Sequence, residues 1–386
     1  MKILILSCNT GEGHNSCAKA IKEQFEMHGA SCKIVDSLLF ISKHASEFIS
    51  SWHTRIYCKI PKLFRVGYSG AEKRNSLFEK DTAIYRYLTS GTEKLYAYLQ
   101  SGGYDAVICT HIFAALAMTA AVEKFQLRLP TAFVATDYTC SPGVADSSLD
   151  WYFIPDASLR EEFIECGIPA EKLLASGLPV RPAFYSAQPP RAEAKRSCGV
   201  RKDGRHILMM CGSIGCGPIC ELAALLAETI EENEEVTIVC GHNEKLLEKL
   251  QQQKLPPERV HVLGFVSNVQ TLMRSADLFL TKPGGLSTSE AAALGLPMVL
   301  IDAVAGCEEH NLDFFVSRGA AVTADGAEAL CVLALSILRD DARLGAMSAS
   351  LRRATEITPA EMIYQTICKA LEETKNAPQE DENIYA

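Results

Sequence analysis

The strongest constraint on the fold lies in a run near the carboxyl end of the chain. Residues 276–280, Ala-Asp-Leu-Phe-Leu, read as a short buried strand, and residues 287–294 read as a helix stopped by Gly295, with Pro297 just beyond. Between them stands Thr281-Lys282-Pro283-Gly284-Gly285-Leu286. A strand that turns through two glycines into a helix is the unit of a parallel α/β sheet. The glycines let the backbone turn sharply and approach a ligand closely. Free N–H groups at the helix start, aligned with the helix dipole, make an anion site suited to a diphosphate. Glu290, one turn in, would repel phosphates and is better aimed at neighbouring hydroxyls, such as a ribose diol. The run is neither a P-loop nor a dinucleotide fingerprint. The plainer alternative is a turn with a capping Ser or Thr and a dipole-favoured Glu.

The same alternation runs through the chain. Residues 2–6 form a first apolar strand, followed by Ser7-Cys8-Asn9-Thr10-Gly11-Glu12-Gly13-His14-Asn15 and a helix over 16–28 whose apolar face is Cys17, Ala20, Ile21 and Phe25. A second strand at 32–35 completes a βαβ unit. Gly11 and Gly13 are only part of a Rossmann fingerprint. The missing third glycine and the histidine in the turn argue against a nicotinamide cofactor. His14 reads either as a polar capping residue or as a general base at the carboxyl edge of the sheet. Further strands are predicted at 105–110, ending in His111, at 131–136, ending in Asp137, and at 151–154. A single helix is predicted over 82–100. After a polar, proline-bearing linker the pattern restarts: strands at 206–210, 236–240, 260–263 and 297–301, helices at 219–230, 244–252 and 269–276, and a second glycine-rich loop at 211–218 containing Gly212 and Ser213. The predicted organisation is a first domain over 1–184, a linker over 185–200, a second domain over 201–357, a helix over 358–378 crossing back to the first domain, and an acidic tail over 379–386.

Composition narrows the function classes. With 386 residues, two domains can each bury a core. A net charge of −9 argues against a general nucleic-acid binder. The 15 cysteines, an odd number, together with an N-terminus lacking a signal-peptide pattern, read as reduced thiols of a cytoplasmic protein. Cys211, Cys216 and Cys220 lack zinc spacing. Residues 51–74 stand apart, carrying six Lys or Arg against one acid, Glu72. Trp52, Arg55, Tyr57, Lys59, Lys62, Phe64 and Arg65 mix basic and aromatic character, as in a segment that seats on anionic lipid. The alternative is a helical hairpin with a solvated basic face.

Two such domains, the second with a diphosphate loop, resemble the GT-B glycosyltransferases. The likeness narrows on particular residues. Asn9 to Ser16 resembles the Gly-rich loop with a terminal His that opens monogalactosyldiacylglycerol synthases and processive diacylglycerol glycosyltransferases. Thr136-Asp137-Tyr138 is similar to their T-D-[FYL] strand end, Gly177-Leu178-Pro179-Val180-Arg181-Pro182 to their G-[IL]-P-V-x-P segment, and Gly264-Phe265-Val266 with Lys282 to Glu290 to their donor half. The resemblance spans about residues 1–370. A weaker likeness is shared with the transferase that adds N-acetylglucosamine to a lipid-linked peptidoglycan precursor.

The resemblance implies an inverting transfer of glucose or galactose from a UDP-sugar to diacylglycerol, without a cofactor, on the inner face of the cell membrane. His14 is implied as the base, with Asp137 as orienter or alternative base. Gly212, Ser213, Gly284, Gly285, Ser287 and Thr288 would surround the diphosphate. Glu290 would hold the ribose, Phe265 and Val266 the uracil, and Glu308 and Asn311 the sugar. His111 and the 51–68 stretch would belong to the acceptor and membrane side. Cys307 departs from the family's Gln and leaves the sugar open, since a thiol cannot replace an amide's two-sided hydrogen bonding. No metal is implied, there being no D-x-D-like acidic pair at the donor loop. Two other readings remain: an amino-sugar transferase or sugar-nucleotide epimerase, and a non-catalytic UDP-sugar sensor.

Overall fold

The computed structural model describes residues 1–49, 77–211, 217–301, 303, 306–351 and 357–376. Two parallel sheets form the frame. The first contains β1 (Lys2–Ser7), β2 (Ser31–Asp36), β3 (Ala106–Cys109), β4 (Thr131–Val134), β5 (Trp151–Ile154) and β6 (Leu173–Ala175), in the order β2-β1-β3-β4-β5-β6. The second contains β7 (Arg205–Met210), β8 (Glu234–Val239), β9 (Val260–Leu263), β10 (Leu278–Thr281), β11 (Met298–Leu300) and β12 (Ala321–Val322), in the order β12-β11-β10-β7-β8-β9. The central strands are apolar along most of their length, as expected where helices cover both faces.

The described helices of the first domain are α1 (Glu12–Met27), α2 (Ala83–Leu88), α3 (Thr92–Gly102), α4 (Ile112–Phe125) and α5 (Arg160–Glu165). The link to the second sheet carries α6 (Arg191–Ser197); then come α7 (Ile219–Thr229), α8 (Glu244–Gln252), α9 (Val269–Ser275), α10 (Gly285–Leu294), α11 (Cys307–Ser317), α12 (Ala327–Leu338), α13 (Asp341–Ser350) and α14 (Pro359–Asn376). The helix predicted over 82–100 is broken. Gly91 lies against the Phe40 backbone so closely that a Cβ there would sit 2.5 Å from its carbonyl carbon. The chain therefore leaves the helix at Thr89 and restarts at Thr92. Helix α1 begins at Glu12, earlier than the predicted 16, which places His14 inside its first turn.

Strand order reverses direction between β1 and β3 in one sheet and between β7 and β10 in the other. The crevice outside such a switch point is where open α/β sheets hold ligands. The two sheets share one hydrophobic cluster, in which Ile5, Phe25 and Leu178 join Leu208, Phe279 and Leu286. Tyr138 packs its ring 4.1 Å from Phe314 and 4.8 Å from Phe315 across this boundary. Polar ties flank it: Arg318 to Asp156 at 3.2 Å, and Glu361 of α14 to His28 at 2.9 Å and Gln24 at 2.7 Å on α1. His28 also stacks on Tyr364, with ring centroids 3.9 Å apart.

Candidate active site

The first sheet's switch point is built around His14. Gly11, extended at φ −173° and without a side-chain cap, opens α1 and delivers His14 to the end of β3. Its Nδ1 lies 2.9 Å from the Thr110 carbonyl oxygen and 3.0 Å from Thr136 Oγ1. A carbonyl only accepts, so Nδ1 carries the hydrogen and Nε2 keeps the lone pair. Among the described residues no side chain or backbone group bonds Nε2. Burial holds the imidazole below its ordinary pKa of 6.5, against the opposing pull of the Asp137 charge and the Thr110 carbonyl. The ring is therefore neutral near pH 7, with one basic nitrogen available.

His111, which the resemblance puts on the acceptor side, lies beside His14. It caps α4, its Nδ1 accepting from Phe113 N at 3.0 Å, and its Nε2 donates to Thr10 Oγ1 at 3.0 Å. Both ring nitrogens are thus engaged by protein. The ring meets His14 edge-on, with centroids 4.5 Å apart. It steadies the His14 ring and the 8–13 turn together.

On the second sheet, Gly284 caps α10 with no side-chain cap bond, and nothing lies within 4 Å of where its Cβ would be. Gly285 is the opposite case. A Cβ there would fall 2.0 Å from the Thr136 carbonyl oxygen and 3.1 Å from Asp137 Oδ1. The start of α10 is therefore pressed on the β4 strand end. Ser287, in the first turn of the helix, is half-buried. Thr288 is buried, its hydroxyl turned back to the Gly284 and Gly285 carbonyls at 2.9 and 3.1 Å. Glu290 is half-buried, and burial pushes its carboxyl up to about 7 while the Arg181 charge opposes the rise. Phe265 is 65% exposed and stacks on His242, with centroids 4.5 Å apart; Val266 beside it is half-buried.

Asn311 does something the sequence did not reveal. Expected against the sugar, it is fully buried. Its Nδ2 donates to Asp137 Oδ1 and to the Pro283 carbonyl, both at 2.9 Å, and its Oδ1 accepts from Tyr138 N at 2.6 Å. It clasps the end of β4 on the first sheet to the loop between β10 and α10 on the second. Tyr138 OH and Ser289 Oγ, 2.9 Å apart, make a second stitch. Glu308 lies half-buried in the first turn of α11, and burial with the Asp137 and Glu308 charges pushes the Cys307 thiol well up. Gly212, Ser213, Trp52, Arg55, Tyr57, Lys59, Lys62, Phe64 and Arg65 lie outside the described residues. Thr110 and Thr136, which fix the His14 tautomer, were not assigned that role. Thr136 stood in the T-D-[FYL] strand end, and the only signal of Thr110 was its position at a strand's carboxyl end.

The model of the monogalactosyldiacylglycerol (MGDG) synthase family matches residues 14–180, and that of glycosyl transferases group 1 matches residues 218–355. The chain is 30% identical over 369 residues to a processive diacylglycerol beta-glucosyltransferase of Bacillus mycoides (strain KBAB4), covering 95% of this chain and 93% of that protein. The chain belongs to the diacylglycerol glycosyltransferase family. A family relative from Bacillus thuringiensis (strain Al Hakam) is 29% identical over the same shares of both chains. Among solved structures, this diacylglycerol glycosyltransferase family member resembles GT-B folds. MurG of Acinetobacter baumannii superposes with a TM-score of 0.64 at 16% identity, over 95% of this chain and 99% of that one. The S. aureus MnaA–UDP structure gives 0.61 at 14% identity, over all of both chains. At such identities these two show the fold alone. No helix among the described residues is long and apolar enough to cross a membrane.

Proposed function

We propose that this chain transfers a hexose from a UDP-sugar to the hydroxyl of diacylglycerol, with inversion at the anomeric carbon. The observation that carries the reading is Thr136. Its hydroxyl holds His14 Nδ1, and its carbonyl abuts Gly285 at the start of α10. One strand end thus joins a basic nitrogen to an uncapped helix N-terminus suited to a leaving diphosphate.

In this mechanism the diphosphate lies over Gly284 and Ser287, and Glu290 accepts hydrogen bonds from the ribose hydroxyls. Phe265 and Val266 border the uracil, and Glu308 meets the sugar. The lipid hydroxyl approaches His14 Nε2, which removes its proton as the oxygen attacks the anomeric carbon. The bond from that carbon to the diphosphate oxygen breaks on the opposite face, and UDP leaves with the electron pair. Asp137 stabilises the imidazolium until its proton passes to solvent. Closure of the two domains excludes the water that would otherwise compete as acceptor. The basic, aromatic stretch over 51–68 seats the protein on anionic lipid and brings it to its acceptor.

The test is UDP release from UDP-glucose and UDP-galactose, separately, with and without diacylglycerol in anionic vesicles. Release that requires diacylglycerol supports the reading and names the sugar. UDP bound yet never released, with either sugar, overturns it in favour of a sensor.

A further inference from the structure

A second cavity lies behind the donor helix, at the hinge. It encloses about 610 Å³ between the carboxyl half of α10, the 185–191 link and the start of α14. Its walls come from both domains: Tyr138 and Leu178 from the first, and Arg274, Ser289 and Ala293 from the second, with Arg191 from the link. Among the described residues no carboxylate lines it. Two guanidinium groups do, and they differ in how they are satisfied.

Arg191 bonds Asp277 through Nη1 at 2.9 Å, but among the described residues its buried Nε has no hydrogen-bond partner. A buried, unpaired N–H is costly and calls for an acceptor. Arg274 donates through Nε to the Pro189 carbonyl at 3.1 Å, and among the described residues it has no carboxylate partner. Burial and the neighbouring Arg191 charge both act to lower its pKa, so the pair repels itself in the empty cavity. An anion would relieve the repulsion and satisfy the orphan donor at once. Guanidinium pairs favour phosphate groups, to which they can present parallel donors. The remaining wall mixes the rings of Tyr138 and Tyr185 and the side chain of Leu178 with the hydroxyl residues Ser289, Ser348 and Thr358, which suits a small, partly polar organic body.

We propose that this hinge cavity is a binding site for a small phosphomonoester, separate from the donor and acceptor positions. Its volume takes a short organic phosphate but not a pair of acyl chains. Because its walls come from both domains and include the Tyr138–Ser289 stitch, an occupant favours the closed arrangement. By linkage it raises affinity for UDP, and UDP raises affinity for it. The coupling rests on the donor reading above; the binding itself does not, so the two fail separately.

Phenyl phosphate, titrated calorimetrically into the full chain, is the probe. Saturable one-to-one binding is expected, tightened by saturating UDP; binding that UDP leaves unchanged would overturn the coupling but not the site. Arg274→Gln is expected to weaken it about tenfold or more while leaving the melting temperature and UDP affinity near wild type. Should that variant fold poorly, Ala293→Leu fills the cavity, retains both arginines and is expected to abolish binding. Vesicles displaying a phosphomonoester headgroup form the second arm, and binding there as tight as to the soluble probe would overturn the assignment to a small molecule. Competition between phenyl phosphate and UDP would place the anion in the donor site and overturn the proposal. Undiminished binding in both variants would do the same.

Discussion

The molecule contains two strand–glycine–helix turns that look alike in sequence and are used differently. At the first, after β1, α1 starts at an uncapped glycine but carries its own acid, Glu12, in the first turn. That carboxylate answers the helix dipole locally. The polar residues around it are satisfied by one another: Ser7 bonds Asn15, Asn15 bonds Asn9, and Asn9 bonds Asp36. At the second, after β10, α10 also starts at an uncapped glycine, but its first turn has no acid and the space over Gly284 is open. The first turn is a finished scaffold that holds one histidine. The second leaves the space over Gly284 open, and the nearest acid is Asp137, which reaches Gly285 from the end of β4 and not from the helix. A glycine turn at a strand end is therefore not itself a ligand site. What separates the two is where the acid stands, inside the first turn of α1 but on another strand end beside α10.

The contrast can be broken at the glycines themselves. Gly285→Ala drives a methyl into the Thr136 carbonyl and is expected to lower turnover by about 100-fold or more, since misplacement of this size at the reacting groups is costly. Gly13→Ala meets nothing nearer than Leu286 Cδ2 at 3.9 Å and is expected to stay within about threefold of wild type. Initial rates on the two variants, side by side, decide whether the second turn is the demanding one.

A smaller effect is expected at the clasp. Asn311→Ala leaves Tyr138 N and Asp137 without their buried partner and is expected to cost about 2 kcal/mol of stability, read by urea unfolding, with a loss of turnover of about tenfold or more. Similar in size is a pH effect at Glu290. Its folded pKa of about 7 stands above the ordinary value of 4.5, so protonation favours the folded state. The stability it contributes is complete below about 4.5 and is lost as pH rises through about 7. Glu290→Gln removes that dependence, and at pH 8 without ligand it is expected to be more stable than wild type by about 1–3 kcal/mol. If the carboxylate serves the ribose as proposed, the same variant binds UDP more weakly. Thermal melts from pH 5 to pH 8, with and without UDP, separate the two. The smallest effect belongs to the finished turn: Asn15→Ala breaks two links of a half-exposed network and should cost about 1 kcal/mol in a urea melt, with little change in rate.

The parallel sheets and both glycine turns were legible because they rest on local pattern: apolar runs of strand length, glycine at the turn and polar residues at strand ends. His14 and Asp137 were legible for the same reason, aided by a family resemblance along most of the chain. What stayed hidden was held at long range. Asn311 finds Tyr138 and Asp137 more than 170 positions away, so nothing near it announced a clasp. The break between α2 and α3 depends on Phe40 pressing on Gly91, a contact invisible to helical periodicity. His111 was legible as a polar residue at a strand end, and its role as a cap to Phe113 emerged only with the backbone in place.

The central claim is a division of labour, with the base on the first turn and the diphosphate on the second. The measurement that tests it most directly is His14→Ala, with UDP affinity and hexose transfer determined on the same preparation. The account predicts UDP affinity within about twofold of wild type and transfer reduced by about 1,000-fold. Normal transfer would contradict the assignment of the base. UDP affinity that collapses in step with transfer would contradict the division itself.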